Sequence, residues 1–188
     1  KKGDEQANQL ANATLNSLLV LLTLIIILLF IFAKEVSQLI SNFPESEAIL
    51  MANLMRIMLI SQLFFTISTF LRGILQSLQR FLIPAIAPLF YNLGIILGTI
   101  LFSPNLGLMG PAIGVVIGAF GHAVIQLPLA MKLGFRFSFK IRISQEVKKI
   151  GQLSLPRIIE VIFLQVAKSV ELSLASLIST AAYTYFTF

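Results

Sequence analysis

Two long stretches of this chain contain no Lys, Arg, Asp or Glu. The first lies between Glu5 and Lys34, where Leu15 to Ala33 is almost entirely Leu, Ile, Val and Phe, and the second runs from Phe81 to Met131. The hydrocarbon core of a bilayer is about 30 Å thick, so a helix of roughly 20 apolar residues crosses it. The first stretch therefore predicts one membrane span, and the second has room for two.

A secretory signal peptide is the alternative for the first stretch, because a short charged head precedes an apolar run. The run is too long for a signal peptide, and no small-residue cleavage site follows it. Composition supports a membrane protein as well. Hydrophobic residues make up 57% of the chain and charged residues 12%, whereas soluble domains carry about 25% charged residues. These values exclude a soluble domain and a disordered chain.

The chain has no Cys and a single His. A disulfide framework is thereby excluded, and a zinc cluster built by this chain alone is not expected. We expect no metal site and no cofactor. The sequence shows no acidic cluster suited to Mg²⁺ and no nucleophile–base pair. It therefore does not predict an enzyme.

Five apolar spans are predicted, and the fold class is an all-α, polytopic membrane helix bundle. The predicted spans are 15–33, 49–71, 83–102, 109–131 and 152–177. A Pro, Asn and Gly turn cluster at 103–107 separates the third span from the fourth. A last apolar stretch, 179–188, is too short to cross.

Basic connections alternate with acidic or neutral ones along the chain. The positive-inside rule then places the N-terminus, the 72–82 connection and the 132–149 segment in the cytoplasm. The net charge of +6 is accounted for by these connections, so nucleic acid is not an expected partner.

The 132–149 segment combines basic residues with a period of two. Its cations are Lys132, Arg136, Lys140, Arg142, Lys148 and Lys149. Aromatic and aliphatic residues alternate with cations from 135 to 143, which is the pattern of a half-buried strand. Since a lone strand has no partner in a helical bundle, we interpret the segment as extended on the headgroup surface, with the cations toward anionic lipid phosphates. The alternative is a linker that only sets topology.

Two further features lie inside the spans. Gly110, Gly114 and Gly118 form a GxxxGxxxG face, which predicts a close helix–helix contact. His122 precedes Gln126 by one turn. A hydrogen bond between packed helices is the favoured role for His122, and proton relay is the alternative.

The fifth predicted span holds four charged residues: Arg157, Glu160, Lys168 and Glu171. Charges inside a membrane are costly and usually face a cavity or each other. Each opposite pair has i, i+3 spacing, which allows neutralisation on one helix face. The span is either the wall of a polar substrate path or a helix with two structural ion pairs.

Several strings resemble the MurJ/MviN family of lipid II flippases. Residues 72–94, RGILQSLQRFLIPAIAPLFYNLG, resemble the family signature GxLxxxxRFxxPAxAPxxxN. Four further strings resemble family helices and occur in the family's order: Arg56-Ile-Met58, Gln126-Leu-Pro128, Leu133-Gly-Phe-Arg136 and Leu155-Pro-Arg157. The resemblance covers nearly the whole chain.

The resemblance implies a fragment of a two-lobe, fourteen-helix flippase fold in the bacterial inner (cytoplasmic) membrane. Residues 1–131 would then be the last four helices of the N-lobe, 132–150 a basic cytoplasmic inter-lobe linker, and 151–188 the first helix of the C-lobe and the start of the next. The intact protein would flip undecaprenyl-linked peptidoglycan precursor (lipid II) by alternating access. The family's best-known substrate arginines lie in helices that this sequence does not include, so they are not assigned here.

Three other functions remain open from the sequence. One is export of another lipid-linked saccharide or of a drug by the same superfamily. Another is a membrane-embedded transferase, which the lack of an acidic site disfavours. The third is a non-transporting scaffold that resembles a flippase but has lost its cavity charges.

Overall fold

The computed structural model describes residues 2–40, 44–139 and 145–178, with side chains not described at 2–4, 40, 169 and 171–178. The chain forms two compact units, Lys1–Arg142 and Ile143–Phe188. The first contains the helices α1 (Lys2–Ile31), α2 (Ala33–Ile40), α3 (Glu45–Ser77), α4 (Leu82–Leu106), α5 (Met109–Val124) and α6 (Leu127–Lys132). The second contains α7 (Gln145–Ile178). The predicted apolar stretch 179–188 lies outside the described residues.

Five helical segments are long and apolar enough to cross a membrane: Glu5–Ile31, Glu45–Ser77, Leu82–Leu106, Met109–Lys132 and Gln145–Lys168. The described residues contain helices and no strand. The prediction of an all-α polytopic bundle with five spans is therefore confirmed.

The surface of the first unit is that of a protein solvated by lipid. Large apolar side chains such as Leu24, Leu28 and Ile100 are exposed, whereas Asn12, Ser68 and Gln126 are buried. A soluble domain places these two groups the other way round. Apolar exposure costs nothing against lipid tails, while inward polar groups form hydrogen bonds between helices.

Some helix ends differ from the prediction. The third span continues through Pro104 to Leu106 and ends at Gly107, whose φ of 56° glycine adopts without strain. The fourth span is divided into α5 and α6 at Ile125 and Gln126. The helix of the fifth span begins before the predicted start at 152, because α7 runs from Gln145.

The junction between α1 and α2 is held by a residue of α3. Arg56 donates from Nε to the carbonyl of Phe30 at 3.1 Å, and its guanidinium carbon lies 5.6 Å from the centre of the Phe30 ring. Lys34 follows the junction and pairs with Glu45 at 2.8 Å. The hydrogen bond with Glu45 raises the pKa of Lys34.

The apolar core of the first unit lies where α1, α3 and α6 meet the segment after α6. Its fully packed members are Leu15, Leu71, Leu75, Ala130 and Phe135. Phe135 begins a segment, 135–139, that is in neither a helix nor a strand. This core therefore fixes the beginning of the basic segment on the helices of the first unit.

Candidate functional site

A buried polar network joins α3 to α5 and α6 in the first unit. Ser68 Oγ contacts His122 Nδ1 and donates to the His122 carbonyl at 3.2 Å. Gln126 donates from Nε2 to Ser68 Oγ and, at 2.9 Å, to the His122 carbonyl. On the other side of the imidazole, Arg72 Nη2 lies 3.2 Å from His122 Nε2. Four side chains thus link two spans by hydrogen bonds.

These contacts assign the state of His122. Because a guanidinium only donates, Nε2 accepts from Arg72 and the ring proton lies on Nδ1, where it is donated to Ser68. Both ring nitrogens of a neutral imidazole are then used. The prediction of a helix-packing hydrogen bond at His122 is confirmed.

The position of Arg72 differs from the prediction. The sequence predicts it at the edge of a cytoplasmic connection, but α3 continues to Ser77 and holds Arg72 half-buried inside the unit. Arg72 Nε and Gln126 Oε1 are buried without a hydrogen-bond partner. A cation in the apolar run was missed because it follows Leu71, the expected end of the span.

The glycine face of α5 packs on α4. Gly110, Gly114 and Gly118 are all buried. A methyl group added at Gly114 would lie 2.7 Å from the Gly94 carbonyl oxygen and 3.0 Å from Gly98 Cα. The two backbones are therefore in direct contact, as close packing in lipid requires.

A cleft of about 650 Å³ opens between α1 and α3. Leu18 contributes from α1, and α3 presents Gln62, Thr66, Thr69 and Ser77 along one face. These polar groups recur at three- or four-residue intervals or multiples of them, so they lie on about one face of α3.

Residues 135–139 of the basic segment are in neither a helix nor a strand, and the statement that the segment has no partner is wrong. Asn8, Asn12 and Asn16 of α1 bind its backbone at Arg136 and Ser138. The cations Lys132, Arg136, Lys148 and Lys149 are exposed. Lys140 and Arg142 lie outside the described residues.

The charged residues of the fifth span lie on α7. Arg157 Nη1 and Glu160 Oε2 form an i, i+3 ion pair at 2.7 Å, with side chains 71% and 54% exposed. Lys168 is also exposed, and the side chain of Glu171 is not described. The spacing of Arg157 and Lys168 is close to three helical turns, so both lie on about the same face of α7. Whether this face lines a substrate path stays a prediction.

Within the described ranges, no group of three His, Cys, Asp or Glu side chains is arranged to hold a metal ion. The buried network around His122 consists of neutral donors and acceptors together with the Arg72 guanidinium, and its contacts are hydrogen bonds between packed helices.

Comparison with known proteins gives the following matches. The family described as "Lipid II flippase MurJ" matches residues 1–188. A "Probable lipid II flippase MurJ" of Borreliella burgdorferi is 24% identical over 98% of this chain and 38% of its own length. A protein of the same name from Buchnera aphidicola is 32% identical over 70% of this chain and 27% of its own length. The chain thus spans well under half of these relatives, and no solved structure matches it significantly.

Proposed function

This chain belongs to the lipid II flippase MurJ family, and we propose that the intact protein flips a lipid-linked peptidoglycan precursor across the bacterial cytoplasmic membrane. The observation that carries the proposal is the family match along the whole chain, residues 1–188. The five candidate spans agree with a multi-pass transporter. Nothing in the comparisons favours the superfamily exporter or the transferase.

The proposed substrate combines a long lipid with a pyrophosphate and an acidic peptide. Moving these groups through a membrane requires a polar path with cationic partners, which act most strongly where water is scarce. Arg157 and Lys168 are exposed cations on one membrane helix. We assign them, with Glu160 and Glu171, to that path. The protein then acts as a transporter by alternating access and not as an enzyme.

The division of the chain follows from the same proposal. Residues 1–131 form the end of the first lobe, 132–150 the inter-lobe linker, and 151–188 the start of the second lobe. The exposed cations Lys132, Arg136, Lys148 and Lys149 then contact anionic headgroups on the cytoplasmic side. Surface cations close to an anionic leaflet each contribute about 1 kcal/mol to such contacts.

Rescue of bacteria depleted of their own flippase tests the function. The full-length protein containing this segment should restore growth and expose the precursor on the outer face, where an externally added hydrolase cleaves it. Growth failure with normal membrane insertion, together with precursor that stays protected from the hydrolase, would contradict the proposal.

A further inference from the structure

Three asparagines of α1 bind the backbone of the segment that follows α6. Arg136 donates its N–H to Asn8 Oδ1 at 3.0 Å, and its carbonyl accepts from Asn8 Nδ2 at 3.2 Å and Asn12 Nδ2 at 2.8 Å. Ser138 donates its N–H to Asn12 Oδ1 at 2.6 Å, and its carbonyl accepts from Asn16 Nδ2 at 2.7 Å. We call Asn8, Asn12 and Asn16 the asparagine ladder.

The asparagine ladder can form because the residue spacing along α1 nearly matches the residue spacing along the segment. Four residues of an α-helix rise about 6.0 Å, and two residues of an extended chain advance about 6.6 Å. Asparagines at every fourth helical position therefore meet every second residue of the segment. Residue numbers increase in the same direction on both sides, so the segment runs parallel to α1. The amide groups take the place of a neighbouring strand, because each offers one donor and one acceptor edge.

The attachment is buried and would be costly to undo. Asn12 and Asn16 are 3% and 4% exposed, and Phe135, just before the ladder, is 5% exposed in the apolar core. Release of the segment would leave the amide groups of Asn12 and Asn16, which are buried in the structure, without these hydrogen bonds. It would also uncover the Phe135 side of the core.

We infer that the asparagine ladder is a docking surface for the chain's own segment 135–138 and keeps it on the first unit throughout transport. Rearrangement between the two lobes, which rests on the proposed function, is then confined to the chain beyond Ser138. The asparagine ladder forms hydrogen bonds only with backbone atoms of the segment. Arg136→Ala and Ser138→Ala therefore leave docking intact, whereas Ser138→Pro removes a donor that the ladder uses.

Amide hydrogen exchange of the full-length protein in lipid nanodiscs tests the docking. The backbone amides of Arg136 and Ser138 should exchange at least tenfold more slowly than the amide of Phe137. The Phe137 N–H does not donate a hydrogen bond to any of the three asparagines. Asn12→Leu, of similar volume, should remove protection at Ser138 and spare Arg136, and Asn8→Leu should do the reverse. Equal exchange at the three amides of the wild type would overturn the docking, even where the variants fail to fold.

A covalent link tests whether the attachment is permanent. In a full-length protein without other cysteines, Asn16→Cys and Ser138→Cys are joined by a short bifunctional thiol reagent. Asn8 and Asn12 of the asparagine ladder are retained. Precursor flipping should be the same before and after linking. Loss of flipping that reduction of a cleavable linker restores would show that the segment must leave α1. If the unlinked parent does not flip the precursor, the proposed function has failed, and the exchange pattern still decides the docking.

Discussion

Arg72 on α3 donates a hydrogen bond to His122 on α5, with 3.2 Å between Nη2 and Nε2. The bond fixes a cation and a neutral imidazole in one buried contact between two spans. It also orients the ring, because the proton on Nδ1 must then face Ser68. Between membrane helices such polar contacts replace the hydrophobic driving force that water gives to soluble bundles.

Removing the imidazole should loosen this contact. His122→Ala leaves Arg72 Nη2 without its acceptor and Ser68 Oγ without the ring donor, which costs roughly 1–3 kcal/mol. His122→Gln reaches the position of Nε2, and His122→Asn that of Nδ1, so each should cost less than Ala. Denaturant titration of the full-length protein in detergent measures the order. Ser77→Ala, which removes only an exposed bond to the Ile74 carbonyl, is the control.

Proton relay by His122 predicts a different result. His122→Gln cannot carry a proton, and flipping would be abolished in the stable variant. We expect flipping to follow stability across the variants, because both ring nitrogens are occupied by packing contacts.

The glycine contact between α4 and α5 should not accept a side chain. Gly114→Leu forces the two backbones apart and should destabilise the bundle by roughly 1–3 kcal/mol. Gly73→Ala is the matched control, since an added methyl there meets nothing within 4 Å and removes helical glycine entropy. Its stability should be equal to the wild type or slightly higher. Equal stability of both variants would contradict the contact.

The large features of this fold follow from the sequence because they depend on local pattern. Apolar runs of sufficient length predict the five spans, and glycines at four-residue spacing lie at the contact that α5 makes with α4. The predicted helix ends agree less well with the structure. Pro104 was treated as a stop, but a helix tolerates the missing N–H near its last turns, and the positive φ of Gly107 ends it instead.

The asparagine ladder and Arg72 depend on partners far away in sequence. Asn12 and Ser138 are 126 positions apart, and no periodicity shows that one binds the other. The spacing of Asn8, Asn12 and Asn16, which places three amides on one face of α1, was nevertheless a usable signal, because buried polar groups need hydrogen-bond partners. Arg72 was missed because a basic residue at the expected end of a span was assigned to the connection.

The charges of the connections predict the orientation of the first unit in the membrane. Cysteine labelling tests this orientation. Ser46→Cys and Leu106→Cys should react with a membrane-impermeant maleimide added outside the cell, and Arg136→Cys should not. Arg136 is exposed in the structure, so its thiol should react once the cells are permeabilised. Labelling of Arg136→Cys in intact cells would overturn the orientation.

The charged face of α7 is where structure and proposed function meet most directly. Arg157→Ala and Lys168→Ala in the full-length protein should each reduce flipping at least about tenfold, equivalent to about 1.4 kcal/mol in the barrier, with near-normal expression. The Ser154→Ala variant, which loses only a hydrogen bond to the Ile150 carbonyl, should flip the precursor normally.

The ion pair between Arg157 and Glu160 provides the decisive comparison. If Arg157 only neutralises Glu160, the double variant Arg157→Ala/Glu160→Ala regains flipping, because no unpaired carboxylate remains. If Arg157 contacts the anionic substrate, the double variant stays as impaired as the single one, and this is the result we expect.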